Sequence, residues 1–138
     1  MITYRIPITG IKQSTNKIYA GIHWTKRKEL KDSILGYAVG FCRPVQKPES
    51  YPVQIRYRFF FVSRALDTLN CAYMAKAFED AFRAIGILED DDPKHVASSI
   101  LEVIALPKQK GASKPRNLGT QEIKENEDQV EITIESIK

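Results

Sequence analysis

Between residues 53 and 106 the hydrophobic pattern of this chain changes period twice, and few folds accommodate that. Val53, Ile55, Tyr57 and Phe59 alternate with polar neighbours in a run rich in β-branched and aromatic residues, which predicts a strand over Val53–Val62. From about Asp67 or Thr68 the period lengthens. Cys71, Met74, Ala77, Phe78, Ala81, Phe82 and Ile85 then share one helical face, with Lys76, Glu79, Asp80 and Arg83 opposite. Gly86 suits the left-handed residue that closes a helix, and Val96–Leu106 reads as another long strand.

The flanks extend this pattern. Ile2, Tyr4, Ile6 and Ile8 alternate, so Ile2–Ile8 is expected to be a first strand, followed by a loop through residue 23. Thr25 is placed to cap a helix reaching about Cys42, with apolar Leu30, Ile34, Leu35, Ala38, Val39 and Cys42. Pro44, Pro48 and Pro52 break the chain before the second strand. Residues 107–128 are polar and read as a flexible loop, and Val130–Ile137 alternates imperfectly as a last strand. The order β-α-β-α-β-β predicts an α+β fold, a mixed sheet with two packed helices. A chain of 138 residues fits one domain spanning 1–138.

Charge is unevenly spread. Residues 1–58 hold 11 of the 21 basic residues and only 3 of the 17 acidic ones. Lys12, Lys17, Lys26, Arg27, Lys28 and Lys31 form the best candidate patch for phosphate contacts, against the plain alternative of a solvated basic surface. No apolar run approaches the ~18 residues of a membrane span, so no membrane association is expected. Cys42 and Cys71 form no metal-binding spacing, and reduced thiols in a cytoplasmic protein are expected.

The acidic run Glu89-Asp90-Asp91-Asp92 follows the second helix closely. Four successive carboxylates repel one another, and the negative end of the helix dipole adds up to ~1 kcal/mol per charge. A hard divalent cation would relieve both penalties. The plain alternative is a solvated turn before Pro93. Lys76 and Asp80, at i and i+4, read equally as an exposed ion pair. His95, near the acidic run, is another possible ligand or a solvated histidine at the strand entry. His23 beside Trp24 reads as a base-stacking or proton-carrying residue, or as a neighbour of a packed indole.

Three segments together resemble the RusA family of Holliday junction resolvases: Leu66-Asp67-Thr68-Leu69-Asn70, Lys76 through Phe82 with Asp80 four residues after Lys76, and Gly86 leading to Asp90-Asp91. Ser14-Thr15-Asn16-Lys17-Ile18-Tyr19 is similar to the family's loop after its first strand. His23-Trp24-Thr25-Lys26-Arg27 is similar to phage-type members. The resemblance covers roughly residues 2–106 and is gap-free from Lys76 through Asp91. Leu69 stands where the family has a second aspartate, and about three extra residues separate Asn70 from Lys76.

This resemblance implies a homodimer that grips four-way DNA junctions and nicks them in pairs, with Mg²⁺ as cofactor. It implies Asp67 and Asp91 as metal ligands, with Asp80 or Asp90 completing the set. Lys76 would neutralise developing charge, and Asn70 would orient a carboxylate. Two further readings stand beside it. One is a branched-DNA-binding protein of the same fold that has lost catalysis through Leu69. The other is an unrelated α+β protein whose acids form a solvated turn.

Overall fold

A computed structural model describes residues 1–12, 24–106, 116–118, 121–123 and 127–137. Alternation in Ile2–Pro7 forms strand β1, with Ile2, Tyr4 and Ile6 buried on one side. Helix α1, Trp24–Phe41, begins one residue ahead of the expected cap Thr25. It buries Ile34, Ala38 and Cys42 at successive spacings of four. Val39 is 42% exposed, so the apolar stripe is narrower than the sequence implied. Strand β2, Val53–Phe61, supplies the centre of the core through Val53, Ile55, Tyr57, Phe59 and Phe61, all fully buried.

The second helix does not start as one continuous α-helix. Thr68–Cys71 forms a 3₁₀ turn, and helix α2 runs over Ala72–Ile85. Its apolar face buries Met74, Ala77, Phe78, Ala81 and Phe82 as the period demanded. Gly86 ends it at φ 90°. Open space surrounds the site of a Cβ there, so backbone conformation alone resists substitution. Gly86→Ala is expected to lower stability by about 1–2 kcal/mol, the cost of a left-handed non-glycine residue. A urea midpoint equal to that of the unmodified protein would show that the helix end relaxes freely.

Strand β3, Val96–Ala105, runs parallel to β2, an arrangement that needs a crossover, here α2. Strand β6, Gln129–Ser136, pairs antiparallel with both β1 and β2. The sheet order is therefore β1-β6-β2-β3, the expected mixed α+β sheet with both helices in one shared core. Within residues 107–128, expected to be a flexible loop, Arg116–Leu118 (β4) and Gln121–Ile123 (β5) pair as an antiparallel hairpin. The end of the same stretch is also structural, because Asp128 is buried. No described helix is long and apolar enough to cross a membrane.

Candidate metal site

Once Gly86 has closed α2, buried Ile87 and Leu88 turn the chain back. Their amides donate to the Phe82 carbonyl at 2.9 and 3.2 Å. The acidic residues that follow are thereby brought against the polar face of α2. Lys76 Nζ lies 2.7 Å from Asp91 Oδ2 and 3.3 Å from Asp80 Oδ1. Arg83 reaches Asp91 at 3.2 Å and Asp90 at 3.5 Å. From α1, Lys31 approaches Asp80 at 3.2 Å. Cations and carboxylates thus alternate along Lys31, Asp80, Lys76, Asp91, Arg83 and Asp90.

Electrostatics follow from this alternation. The hydrogen bond to Asp91 holds the Lys76 ammonium above its ordinary pKa. The same bond is the main cause that holds Asp91 below its ordinary value, with the Arg83 charge adding to it. Both groups are therefore charged across the neutral range. The Lys76–Asp80 pair expected on an exposed helix face is present, but it belongs to a larger network.

Asp92 and His95 make the second half of the site. Asp92 Oδ1 accepts the backbone N–H of Lys94 and of His95, both at 3.1 Å, and lies 2.7 Å from His95 Nδ1. His95 Nε2 lies 3.3 Å from Glu89 Oε2. Tyr51 packs edge-on to the imidazole at 4.8 Å, and its hydroxyl accepts the Glu89 amide at 3.1 Å.

Asp90, Asp92 and His95 could hold a metal ion: each offers one ligand atom, and these atoms lie within 4.8 Å of one another. Such an ion would replace one of the contacts that the His95 ring now makes. Of the four ligands expected from the resemblance, only Asp90 belongs to this trio. Asp92 and His95 were legible as part of the acidic run and its neighbour, but nothing in their spacing singled them out.

The bond to Asp92 raises the His95 pKa above 6.5, and the bond from His95 lowers that of Asp92 below 3.8. The raised histidine contributes stability fully below its unfolded value and loses it as pH rises through the folded one. The depressed aspartate contributes above its unfolded value and loses it as pH falls through the folded one. The pair is therefore strongest between the two. In an NMR titration His95 is expected to lose its proton above pH 6.5, and Asp92→Asn should bring that midpoint down. An unchanged midpoint in the variant would remove Asp92 as the cause.

Other expected site residues lie elsewhere. Asp67 is exposed and leaves the Phe61 end of β2, whereas the acidic turn enters β3 opposite Val53. Helix α2 lies between the two, roughly 20 Å long at 1.5 Å per residue, and Asp91 reaches back along it to Lys76 on its second turn. The charge of Asp67 acts on the Cys71 thiol. Leu69 is 79% exposed, and Asn70 is partly buried with its amide bonded to the Asp67 carbonyl at 2.9 Å.

Lys12 is also committed internally. It donates to Ser63 Oγ at 2.9 Å and to the Arg64 carbonyl, and it lies 3.4 Å from buried Asp128. Lys26, Lys28 and Lys31 are exposed on α1, and Arg27 is half-buried. Lys17 and His23 fall outside the described residues. Burial pushes the Cys42 thiol up to about 12 and the Cys71 thiol up to about 11, so neither is a thiolate at neutral pH. No protein-family model and no curated protein sequence matches this chain.

Proposed function

We propose that this protein is a divalent-metal-dependent, structure-specific DNA endonuclease of the RusA type, cutting four-way junctions by paired phosphodiester nicks. The observation that carries the reading is the 2.7 Å contact of Lys76 with Asp91, inside a network that runs from basic helix α1 to a trio able to hold a metal. Phosphodiester hydrolysis needs a cation site, a positive group for the developing charge and a basic approach for the backbone.

In this reading Asp90, Asp92 and His95 hold the cation. When bound, the metal supplies a hydroxide nucleophile and charge stabilisation at the phosphate. Asp91 and Asp80 fix the Lys76 ammonium from two sides, so that its charge is positioned before DNA arrives. Arg83 offers a second cation at the same edge. Lys26, Arg27, Lys28 and Lys31 give the phosphate backbone a path along α1. Mg²⁺ is the proposed ion, although an imidazole among the donors also suits Mn²⁺.

The test is cleavage of a synthetic four-way junction and of linear duplex, with Mg²⁺, with Mn²⁺ and with chelator. Metal-dependent, symmetric nicks in the junction alone are expected. Failure to bind or cut the junction under every condition would reject the reading. A second reading, a junction-binding protein without cleavage, draws on Leu69, which is exposed and stands where the family has a second aspartate. Tight junction binding without nicks in either metal would favour it.

A further inference from the structure

The acidic turn is tied to the rest of the fold differently at its two ends. At the far end the His95 and Val96 amides donate to the Asp92 carbonyl at 2.9 and 2.8 Å, and the Val53 amide donates to the His95 carbonyl at 2.8 Å. The near end meets a side chain from outside the turn. The Glu89 amide donates to the Tyr51 hydroxyl at 3.1 Å, a contact between residues 38 positions apart. The same tyrosine sets its ring edge-on to the His95 imidazole, with centroids 4.8 Å apart and planes at 68°.

Tyr51 therefore touches the turn at both ends, at Glu89 and at His95, with Asp90, Asp91 and Asp92 between them. Its own ring is partly buried and packs against the hydrophobic core. It precedes β2, whose first residue, Val53, holds the His95 carbonyl. Both contacts thus come from the entry to a central strand. Four successive carboxylates repel one another, and a turn free to move would spread before any cation arrives. Ion pairs with Lys76 and Arg83 relieve Asp91, but they do not tie Glu89 to His95.

We propose that Tyr51 is a positioning residue for the cation. Its hydroxyl and its ring fix the two ends of the turn against each other, so that Asp90, Asp92 and His95 stand close enough to share one divalent ion. Tyr51 itself does not ligate. An ion that meets gathered ligands need not order them, which raises affinity without any new ligand bond. The proposal rests on the metal reading above and adds a residue that no acidic spacing indicates.

The two contacts can be separated. Tyr51→Phe keeps the ring against His95 and removes only the acceptor of the Glu89 amide, whereas Tyr51→Ala removes both. Tyr4 supplies the control. Its hydroxyl donates to the Pro44 carbonyl at 2.8 Å and accepts the Gln46 amide at 3.2 Å, so it anchors the same connection between α1 and β2. Among the described residues no hydrogen bond joins Tyr4 to the acidic turn.

The test is Mn²⁺ binding to the full chain without DNA, read from the electron paramagnetic resonance of the free ion. Affinity is expected to fall about threefold in Tyr51→Phe, the loss of one hydrogen bond. It should fall at least ~10-fold in Tyr51→Ala, the range for a residue that orients a ligand. In Tyr4→Phe it should stay unchanged. Thermal unfolding of each variant separates a general loss of stability, which Tyr4→Phe shares, from the loss of affinity, which it does not. Unchanged affinity in Tyr51→Ala or in Tyr51→Phe, or an equal loss in Tyr4→Phe, would overturn the proposal and leave the metal reading standing. Should Tyr51→Ala not fold, Tyr51→Phe, which keeps the packed ring, carries the comparison. No Mn²⁺ bound by the unmodified protein would instead remove the cation site itself, and this role with it.

Discussion

Asp91→Asn is expected to lower metal-dependent junction cleavage at least ~100-fold, about 2.7 kcal/mol of transition-state stabilisation, while junction binding stays equal or tightens. Asp91 is the meeting point of two cations, Lys76 at 2.7 Å and Arg83 at 3.2 Å. An amide in its place keeps the size but removes the charge that holds both. Lys76 would retain only Asp80, and Arg83 only Asp90. The ammonium proposed to meet the phosphate would then be free to move, and misplacement by about 1 Å can cost ~100-fold. Binding moves the other way, because one less negative charge faces the DNA backbone. Single-turnover cleavage in Mg²⁺ and junction affinity in Ca²⁺ separate the two effects. Cleavage within threefold of the unmodified protein would remove Asp91 from the chemistry.

The largest stability effect is expected at a residue with no role in that chemistry. Asp128→Ala should cost about 3–5 kcal/mol, the range for removing one member of a buried charged network. The Asp128 carboxylate accepts the amides of Val62 and Ser63 at 2.9 and 3.1 Å and the Ser63 hydroxyl at 2.5 Å. It also faces the Lys12 ammonium at 3.4 Å. In alanine two amides and a hydroxyl lose their acceptor, and Lys12 loses its counter-charge. The start of β6, the end of β2 and the segment at Lys12 are joined at this one point.

Burial by itself would raise the Asp128 pKa, but the bonds from Ser63 and Val62 and the Lys12 charge outweigh it and hold the carboxyl below 3.8. Its contribution is therefore present above the unfolded pKa and lost as pH falls through the folded one. Urea unfolding at neutral pH measures the loss, and the gap between variant and parent should narrow in acid. A neutral-pH difference under 1 kcal/mol would show that water replaces the carboxylate without penalty.

Wherever a residue's environment is set by its neighbours in sequence, the chain declares its structure. Period-two alternation marks β1 and β2, the three-and-four spacing from Met74 to Phe82 marks α2, and Gly86 marks where that helix must stop. Those patterns determine which side of each element is buried, because a strand or helix presents its side chains at a fixed angle per residue. The Lys76–Asp80 pair was legible for the same reason.

What the pattern could not contain is distance across the fold. Asp91 follows the C-terminal end of α2, yet its carboxylate meets Lys76 on the second turn of that helix, a contact that no local spacing contains. The turn-back through Ile87 and Leu88 brings Asp91 and Arg83 together, and the bend at Asp92 adds His95. Burial of Asp128 is likewise invisible in a polar stretch, since its acceptor role depends on Val62 and Ser63, more than sixty positions away. Arg5, Glu131, Arg58 and Glu102 stand side by side across the sheet only once register is set, because each comes from a different strand. Hydrophobic period is a local property of the chain, whereas the meeting of charges belongs to strand order and register.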